Sequence, residues 1–308
     1  MSILDESAKG VYVISITPFL ENGTLDLESA DRVVEFYLEK GATGLTVLGM
    51  MGEAPKLTAA ESRQFVERAL ARVNGRVPVI AGVSAPGFAA MRELSVSVMS
   101  DGAAGVMVAP EGHLRTDEQI CGYYEMVAEI LGDIPFVLQD YPLGTGVRIS
   151  VNVIRHIIDT LPTCVMLKHE DWPGLGKISM LRAASDEGQR RISILAGNGG
   201  VFLPEELRRG ADGAMTGFAY PEMMVGVWQA HATGDTERAH DLFDAYLPLA
   251  RYELQPNLGL AIRKYILAKR GAIACAAQRK PGATLSKLDI ADIERLIARQ
   301  TRRLAEIA

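Results

Sequence analysis

The chain has 308 residues, of which 48% are hydrophobic and 23% charged, with a formal net charge of -6. Its length exceeds the usual single core but fits one closed barrel with an added helical segment. The acidic balance offers no basic face for nucleic-acid phosphates, and no apolar run approaches the roughly 20 residues of a membrane helix.

The start carries Asp5 and Glu6 where a secretory signal would be basic and then apolar, so neither a membrane nor a nucleic-acid partner is expected and the cytoplasm is the expected compartment. Cys121, Cys164 and Cys275 are odd in number and widely spaced, which argues against a disulfide framework.

In chain order, a β-branched run predicts a first strand over 11–17. Ala30, Val33, Val34, Tyr37 and Leu38 then fall on one helical face, closed by Gly41. A strand follows over 45–48, and Thr58 with Glu61 reads as a capping box opening the next helix. Strands over 79–83 and 106–109 come next, and Thr116 with Gln119 opens a helix whose stripe is Ile120, Tyr123, Tyr124, Val127, Ala128 and Leu131. The remaining strand candidates are 136–138, 165–168, 192–196 and 214–216.

A weak internal echo, Gly41 to Gly44, Gly102 to Gly105 and Gly210 to Gly213, turns a helix end into a strand each time. Eight such units predict a (β/α)8 barrel. A Rossmann-like sheet is the alternative, disfavoured because no G-x-G-x-x-G turn follows the first strand. The barrel core is expected over 1–220. Residues 221–308 are expected to hold the last barrel helix and a helical extension, through 235–249, 260–269 and 290–304, packed on the barrel or on a neighbouring subunit.

Active sites of such barrels lie at the carboxyl ends of the strands. There Lys168 ends the apolar run Cys164-Val165-Met166-Leu167 and is followed by His169-Glu170-Asp171. Poor solvation at the end of a buried strand favours the neutral amine, a nucleophile toward carbonyl carbon. The bland alternative is a lysine that reaches solvent or merely pairs with the carboxylate two residues on. Side chains alternate along a strand, so Glu170 shares the side of Lys168 while His169 points away. His113 reads as a loop residue and His169 as a packed one. A metal site built from His169, Glu170 and Asp171 is a weak alternative, because adjacent strand residues do not converge on one ion. Gly197-Asn198-Gly199-Gly200 is either a contact for substrate hydroxyls or an anion, or a tight turn that needs glycine.

Thr17-Pro18-Phe19, the turn Gly49-Met50-Met51-Gly52-Glu53, the segment from Tyr141 to Gly146 and Lys168 together resemble the dihydrodipicolinate synthase/N-acetylneuraminate lyase family, in the right order over nearly the whole chain. The resemblance implies a tetrameric (β/α)8 barrel whose Lys168 forms an imine with a 2-oxo acid. It also implies that backbone N–H groups of Gly49, Met50, Met51 and Gly52 hold the substrate carboxylate, as consecutive N–H groups can.

The departures matter as much. Gln139 stands where the family usually has a catalytic tyrosine, Met50 and Met51 where it has two threonines, and a second relay tyrosine is replaced near Gly112. The synthase arginine after the proline is Gly144, which puts the synthase reaction in doubt. Glutamine exchanges no proton near neutral pH, so Glu170 becomes the expected acid–base group. A tyrosine from a shifted register, Tyr141, would need a bulge.

This combination resembles the sugar-acid dehydratase branch of the family, which implies dehydration of a 2-keto-3-deoxy sugar acid. The expected case is 2-keto-3-deoxy-L-arabonate, giving 2-oxoglutarate semialdehyde and water in pentose breakdown. Lys168, Glu170 and Gln139 are the expected catalytic residues. Gly49, Met50, Met51, Gly52, Tyr141, Gly197 and Asn198 are expected to contact substrate, with no metal and no cofactor. A pyruvate-releasing aldolase, a non-catalytic 2-oxo-acid-binding barrel and a cofactor-using lysine enzyme are the rival expectations.

Overall fold

Eight short parallel strands carry the architecture, each hydrogen-bonded to the next and the last to the first, so the sheet closes on itself in the order β1 to β8. The computed structural model describes residues 3–172 and 174–308. In chain order the elements are β1 (Gly10–Ile14), α1 (Leu27–Glu39), β2 (Gly44–Val47), α2 (Ala59–Val73), β3 (Val79–Gly82), α3 (Phe88–Ser100), β4 (Gly105–Val108), α4 (Asp117–Leu131) and β5 (Phe136–Asp140). They continue with α5 (Pro142–Thr145), α6 (Val151–Thr160), β6 (Cys164–His169), α7 (Leu175–Asp186), β7 (Ser193–Ala196), α8 (Leu203–Arg208) and β8 (Gly213–Thr216). The chain then turns helical through α9 (Pro221–Ala232), α10 (Thr236–Glu253), α11 (Gly259–Lys269) and α12 (Lys287–Glu306). The protein is a (β/α)8 barrel with a C-terminal helical segment.

Local chemistry accounts for the helix starts and stops. Thr58 with Glu61 and Thr116 with Gln119 form reciprocal capping boxes, and Ser286 with Asp289 makes a third that opens α12. The echoed glycines Gly41, Gly102 and Gly210 all have positive φ, which lets each chain leave a helix and enter the sheet within three residues. At the far end of the last echo, a Cβ on Gly213 would lie 1.8 Å from the carbonyl oxygen of Gly10, so β8 can pair with β1 only as glycine there.

Period-two alternation divides the apolar residues between two cores. Inside the barrel, Tyr12, Ile14, Ile80, Met107, Val137, Met166, Leu195 and Met215 pack together, with Leu4 at the amino-terminal end, where its N–H donates to Ala104 O. The alternate positions, among them Val11, Val13, Ala81, Val106, Leu138, Leu167 and Ile194, face the helices. Each large side chain so buried contributes about 1.5–3 kcal/mol. The interior is therefore filled below the level of Lys168, mainly by apolar side chains, and the charged pair Lys168 and Glu170 stands at its carboxyl end.

Two strand ends differ from the sequence expectation by more than one residue. The first strand stops at Ile14 rather than Thr17, because Thr17 Oγ1 donates to Gly52 O at 2.5 Å and draws the chain toward the turn after β2. The fifth runs on to Asp140, which brings Gln139 into register with Lys168.

Candidate functional site

β5 and β6 set the site by register. Gln139 pairs with Lys168 across the ladder, and both are inward positions above Val137 and Met166. Beyond the strand end, the Glu170 N–H donates to Asp140 O and the Gly197 N–H to His169 O, so the extended conformation persists for one more step and carries Glu170 to the same side as Lys168. The result is a compact cluster. Lys168 Nζ lies 2.8 Å from Glu170 Oε2, and Gln139 Nε2 donates to that same oxygen at 2.7 Å. All three side chains are buried.

The β7 turn shapes the cluster from the other side. A Cβ on Gly197 would come within 2.1 Å of Glu170 Cγ and 2.9 Å of Oε1, so this glycine makes room for the carboxylate. Asn198 Nδ2 donates to Glu170 O at 3.0 Å, which leaves its carbonyl oxygen as the free end of the amide. Gly199 N–H donates to Thr216 Oγ1 at 2.8 Å and ties the turn to β8. Asn198 and Glu170 border a cavity of about 190 Å³ together with Met51, Tyr141, Thr216 and Arg263. That volume is below the range of roughly 300–1,000 Å³ for drug-sized ligands and suits a small metabolite.

Tyr141 lies just past β5 rather than beside Lys168. The register irregularity of β5 is at Phe136/Val137, well below the site, so no shifted register substitutes Tyr141 for Gln139. Burial, and after it the charge of Glu170, pushes its phenol above the ordinary value, so it is a neutral hydrogen-bonding group at the cavity wall. A Cβ on Gly144 would meet the Tyr141 ring at 2.1 Å, so an arginine at 144 and this placement of Tyr141 exclude each other.

Gly49 and Met50 border a separate, mainly apolar cavity of about 430 Å³ that also reaches Gln139. The turn Met50–Gly52 is a single 3-10 turn in which Gly52 N–H donates to Gly49 O and Glu53 N–H to Met50 O. The amides of Met50 and Met51 begin this turn and have no acceptor within it. Met50 itself is exposed at 49%, whereas Met51 packs against the barrel interior.

The three acidic or imidazole groups after Lys168 diverge. His169 faces outward, its Nε2 3.0 Å from Gly174 O and its Nδ1 3.5 Å from Asp140 Oδ2. Asp171 pairs with Lys177 at 2.9 Å, and Lys177 also reaches Asp140 Oδ2 at 2.7 Å. Burial raises the Asp171 carboxyl, but the Lys177 hydrogen bond and charge outweigh it and hold it below the ordinary carboxylate range. Among the described residues no three His, Cys, Asp or Glu side chains group to hold a metal. His113 sits in the turn after β4 and borders a different cavity, with Glu111 and Tyr123.

Sequence reasoning did not find three contributors: Thr216, the Lys177 network behind β6, and the pair of buried cations Arg263 and Lys264. Arg263 pairs with Glu253 at 2.6 Å and donates to Gly217 O. Lys264 pairs with Glu53 at 2.5 Å. These partners come from distant parts of the chain, and no local motif marks them.

Residues 7–300 match the dihydrodipicolinate synthetase family. The chain belongs to that family. It is 28% identical over 284 residues, covering 89% of this chain and 88% of the relative, to the L-2-keto-3-deoxyarabonate dehydratase of Azospirillum brasilense. It is 29% identical over 246 residues, covering 79% and 82%, to the 4-hydroxy-tetrahydrodipicolinate synthase of Methanocaldococcus jannaschii (strain ATCC 43067 / DSM 2661 / JAL-1 / JCM 10045 / NBRC 100440). A solved structure of a dihydrodipicolinate synthase from Rhodopseudomonas palustris superposes with a TM-score of 0.95 at 51% identity, covering 97% of this chain and 100% of that one. Within the dihydrodipicolinate synthetase family, relatives of this chain thus carry names for both a synthesis and a dehydration. No helix of this member, among the described residues, is long and apolar enough to cross a membrane.

Proposed function

We propose that this chain is a lyase that dehydrates a 2-keto-3-deoxy sugar acid through an imine on Lys168, with 2-keto-3-deoxy-L-arabonate as the substrate and 2-oxoglutarate semialdehyde and water as the products. One observation carries the reading: a single carboxylate oxygen of Glu170 receives both Lys168 and Gln139, at the mouth of a small cavity. The likeness to a relative named as a dehydratase supports it. The exclusion of a side chain at Gly144 by Tyr141 speaks against a synthase that needs an arginine there.

The chemistry follows from the 2.8 Å contact. Lys168 passes its proton to Glu170, and the neutral amine attacks C2 of the 2-oxo acid. The Glu170 acid returns that proton to the carbinolamine hydroxyl, which leaves as water and gives a protonated imine. This cation withdraws electrons from C3, so Glu170, again a carboxylate, removes a C3 proton to form the enamine. The same carboxyl group then protonates the C4 hydroxyl, and water departs as the C3–C4 double bond forms. Loss of a C5 proton and gain of one at C3 leaves an enol across C4 and C5; gain of a proton at C4 and loss of the enol O–H proton turn it into the aldehyde, and hydrolysis of the imine frees Lys168.

Gln139 holds Glu170 by its amide N–H without itself exchanging protons. Met50 and Met51 amides are suited to the substrate carboxylate, and the Asn198 amide and Tyr141 phenol to its hydroxyls. The protonated imine is the electron sink, so the proposed reaction needs no cofactor. The proposed enzyme is cytoplasmic and, as the family resemblance implies, a homotetramer. Residues 1–220 are its proposed barrel core and 221–308 the last barrel helix with the extension.

The test is borohydride treatment with a panel of 2-keto-3-deoxy sugar acids, read by mass spectrometry for the reduced adduct on Lys168 and for the released product. The semialdehyde supports dehydration. Pyruvate and an aldehyde would make the protein an aldolase, and absence of any adduct would leave a non-catalytic barrel or a different chemistry.

A further inference from the structure

Besides bordering the cavity with Arg263, the helical segment after the barrel reaches the Met50–Gly52 turn at a buried point. Lys264, on α11, is fully buried and its Nζ lies 2.5 Å from Glu53 Oε1, with Thr17 O and Ala277 O each at 2.8 Å. Its three N–H groups are therefore spent on the end of the β1 segment, on the residue after the Met50–Gly52 turn, and on the chain that follows α11. The other carboxylate oxygen of Glu53 takes Lys56 Nζ at 2.8 Å and the Arg279 N–H at 3.1 Å. The Phe19 ring lies under both cations, 4.7 Å from Lys264 Nζ and 4.6 Å from the Arg279 guanidinium carbon.

Glu53 is held at φ 56, in the left-handed region where glycine costs less than any side chain. A glutamate is tolerated at that backbone position only because its surroundings over-determine it. What they determine is the geometry of the turn, since the Glu53 N–H closes it onto Met50 O and Thr17 Oγ1 holds Gly52 O. The turn is thus held from outside β2 through Thr17 at Gly52 and through Lys264, Lys56 and the Arg279 N–H at Glu53, and the hub of that pinning is Glu53 with Lys264.

We infer that Glu53 and Lys264 are positioning residues that preorganise the Gly49–Gly52 turn for the substrate carboxylate, which makes the helical extension a part of the 2-oxo-acid site. The inference rests on the proposed reading of that turn. It gives the extension a role that does not depend on subunit assembly.

The test compares pyruvate with pyruvamide, which offers the same ketone without the anion. Half-saturating concentrations for borohydride trapping on Lys168 are measured for both in the wild-type protein and in Glu53→Gln. The paired variant Glu53→Gln with Lys264→Met removes both charges together, leaves no lone charge buried and so keeps a foldable protein. The preference for pyruvate over pyruvamide should fall by roughly tenfold or more in both variants, as expected when an orienting contact relaxes. A preference that stays at its wild-type value, in protein of normal helical content, overturns the inference and leaves the imine reading intact. A wild-type protein that traps neither compound overturns both.

Discussion

The two faces of β6 carry similar groups to different ends. On the inner face Lys168 meets Glu170 at 2.8 Å; on the outer face Lys177, from α7, meets Asp140 at 2.7 Å and Asp171 at 2.9 Å. The outer lysine also donates to Ile149 O, so its N–H groups are all committed to protein acceptors. The inner lysine shares one carboxylate oxygen with Gln139, and that carboxylate opens onto a cavity. A buried ion pair is thus structural where every donor is spent within the protein, and suited to chemistry where one partner faces room for a ligand.

The largest expected effect breaks the inner pair. Lys168→Ala should abolish the borohydride adduct and lower turnover by about 10⁴ or more, checked by mass spectrometry and product assay; an adduct that persists would place the nucleophile elsewhere.

Next comes the outer face. Lys177→Met leaves Asp140 buried without its cation and should destabilise the fold by about 3–5 kcal/mol, measured by urea denaturation, while the purified variant still traps a 2-oxo acid. Loss of trapping in folded protein would show that the two faces are not separable.

Gly197→Ala probes the room given to Glu170. The added methyl should cost about 1–3 kcal/mol of stability by overpacking and depress turnover, and the stability cost should vanish in a Glu170→Ala background. An equal cost in both backgrounds would trace it to the turn instead of to the carboxylate.

Glu206 supplies a buried carboxyl without a lysine. Burial, and after it the charge of Glu205, pushes it from 4.5 to about 8. The folded state therefore keeps this proton longer than the unfolded chain. The stability it contributes is full below pH 4.5 and is lost as pH rises to about 8. Glu206→Gln should flatten the thermal stability profile in that window by an amount on the order of a few kcal/mol at most, and an unchanged profile would show that the group ionises freely.

Much of this contrast was legible in the sequence, because it depends on alternation. Val165 to Glu170 read as a strand fixes Lys168 and Glu170 on one side and His169 on the other, and the barrel rule then fixes which end is open. Gln139 could be placed beside Lys168 only through the family resemblance, since a register is a relation between strands. Glu53 and Lys264 stand 211 positions apart and were invisible to any local pattern. Gly197 was read as a substrate contact or a tight turn; its closeness to Glu170 is a steric relation that only coordinates expose. The third capping box, Ser286 with Asp289, was available in the sequence and starts α12 ahead of the apolar stripe from which that helix was read.

The account turns on Glu170 as the group that moves protons for an imine it does not itself form. Turnover of 2-keto-3-deoxy-L-arabonate and borohydride trapping of pyruvate, measured side by side in Glu170→Gln, test it most directly. Trapping should still reach completion, more slowly because water must then serve the proton transfers of imine formation, while turnover falls by about 10²–10⁴; turnover close to that of the wild-type protein would contradict it.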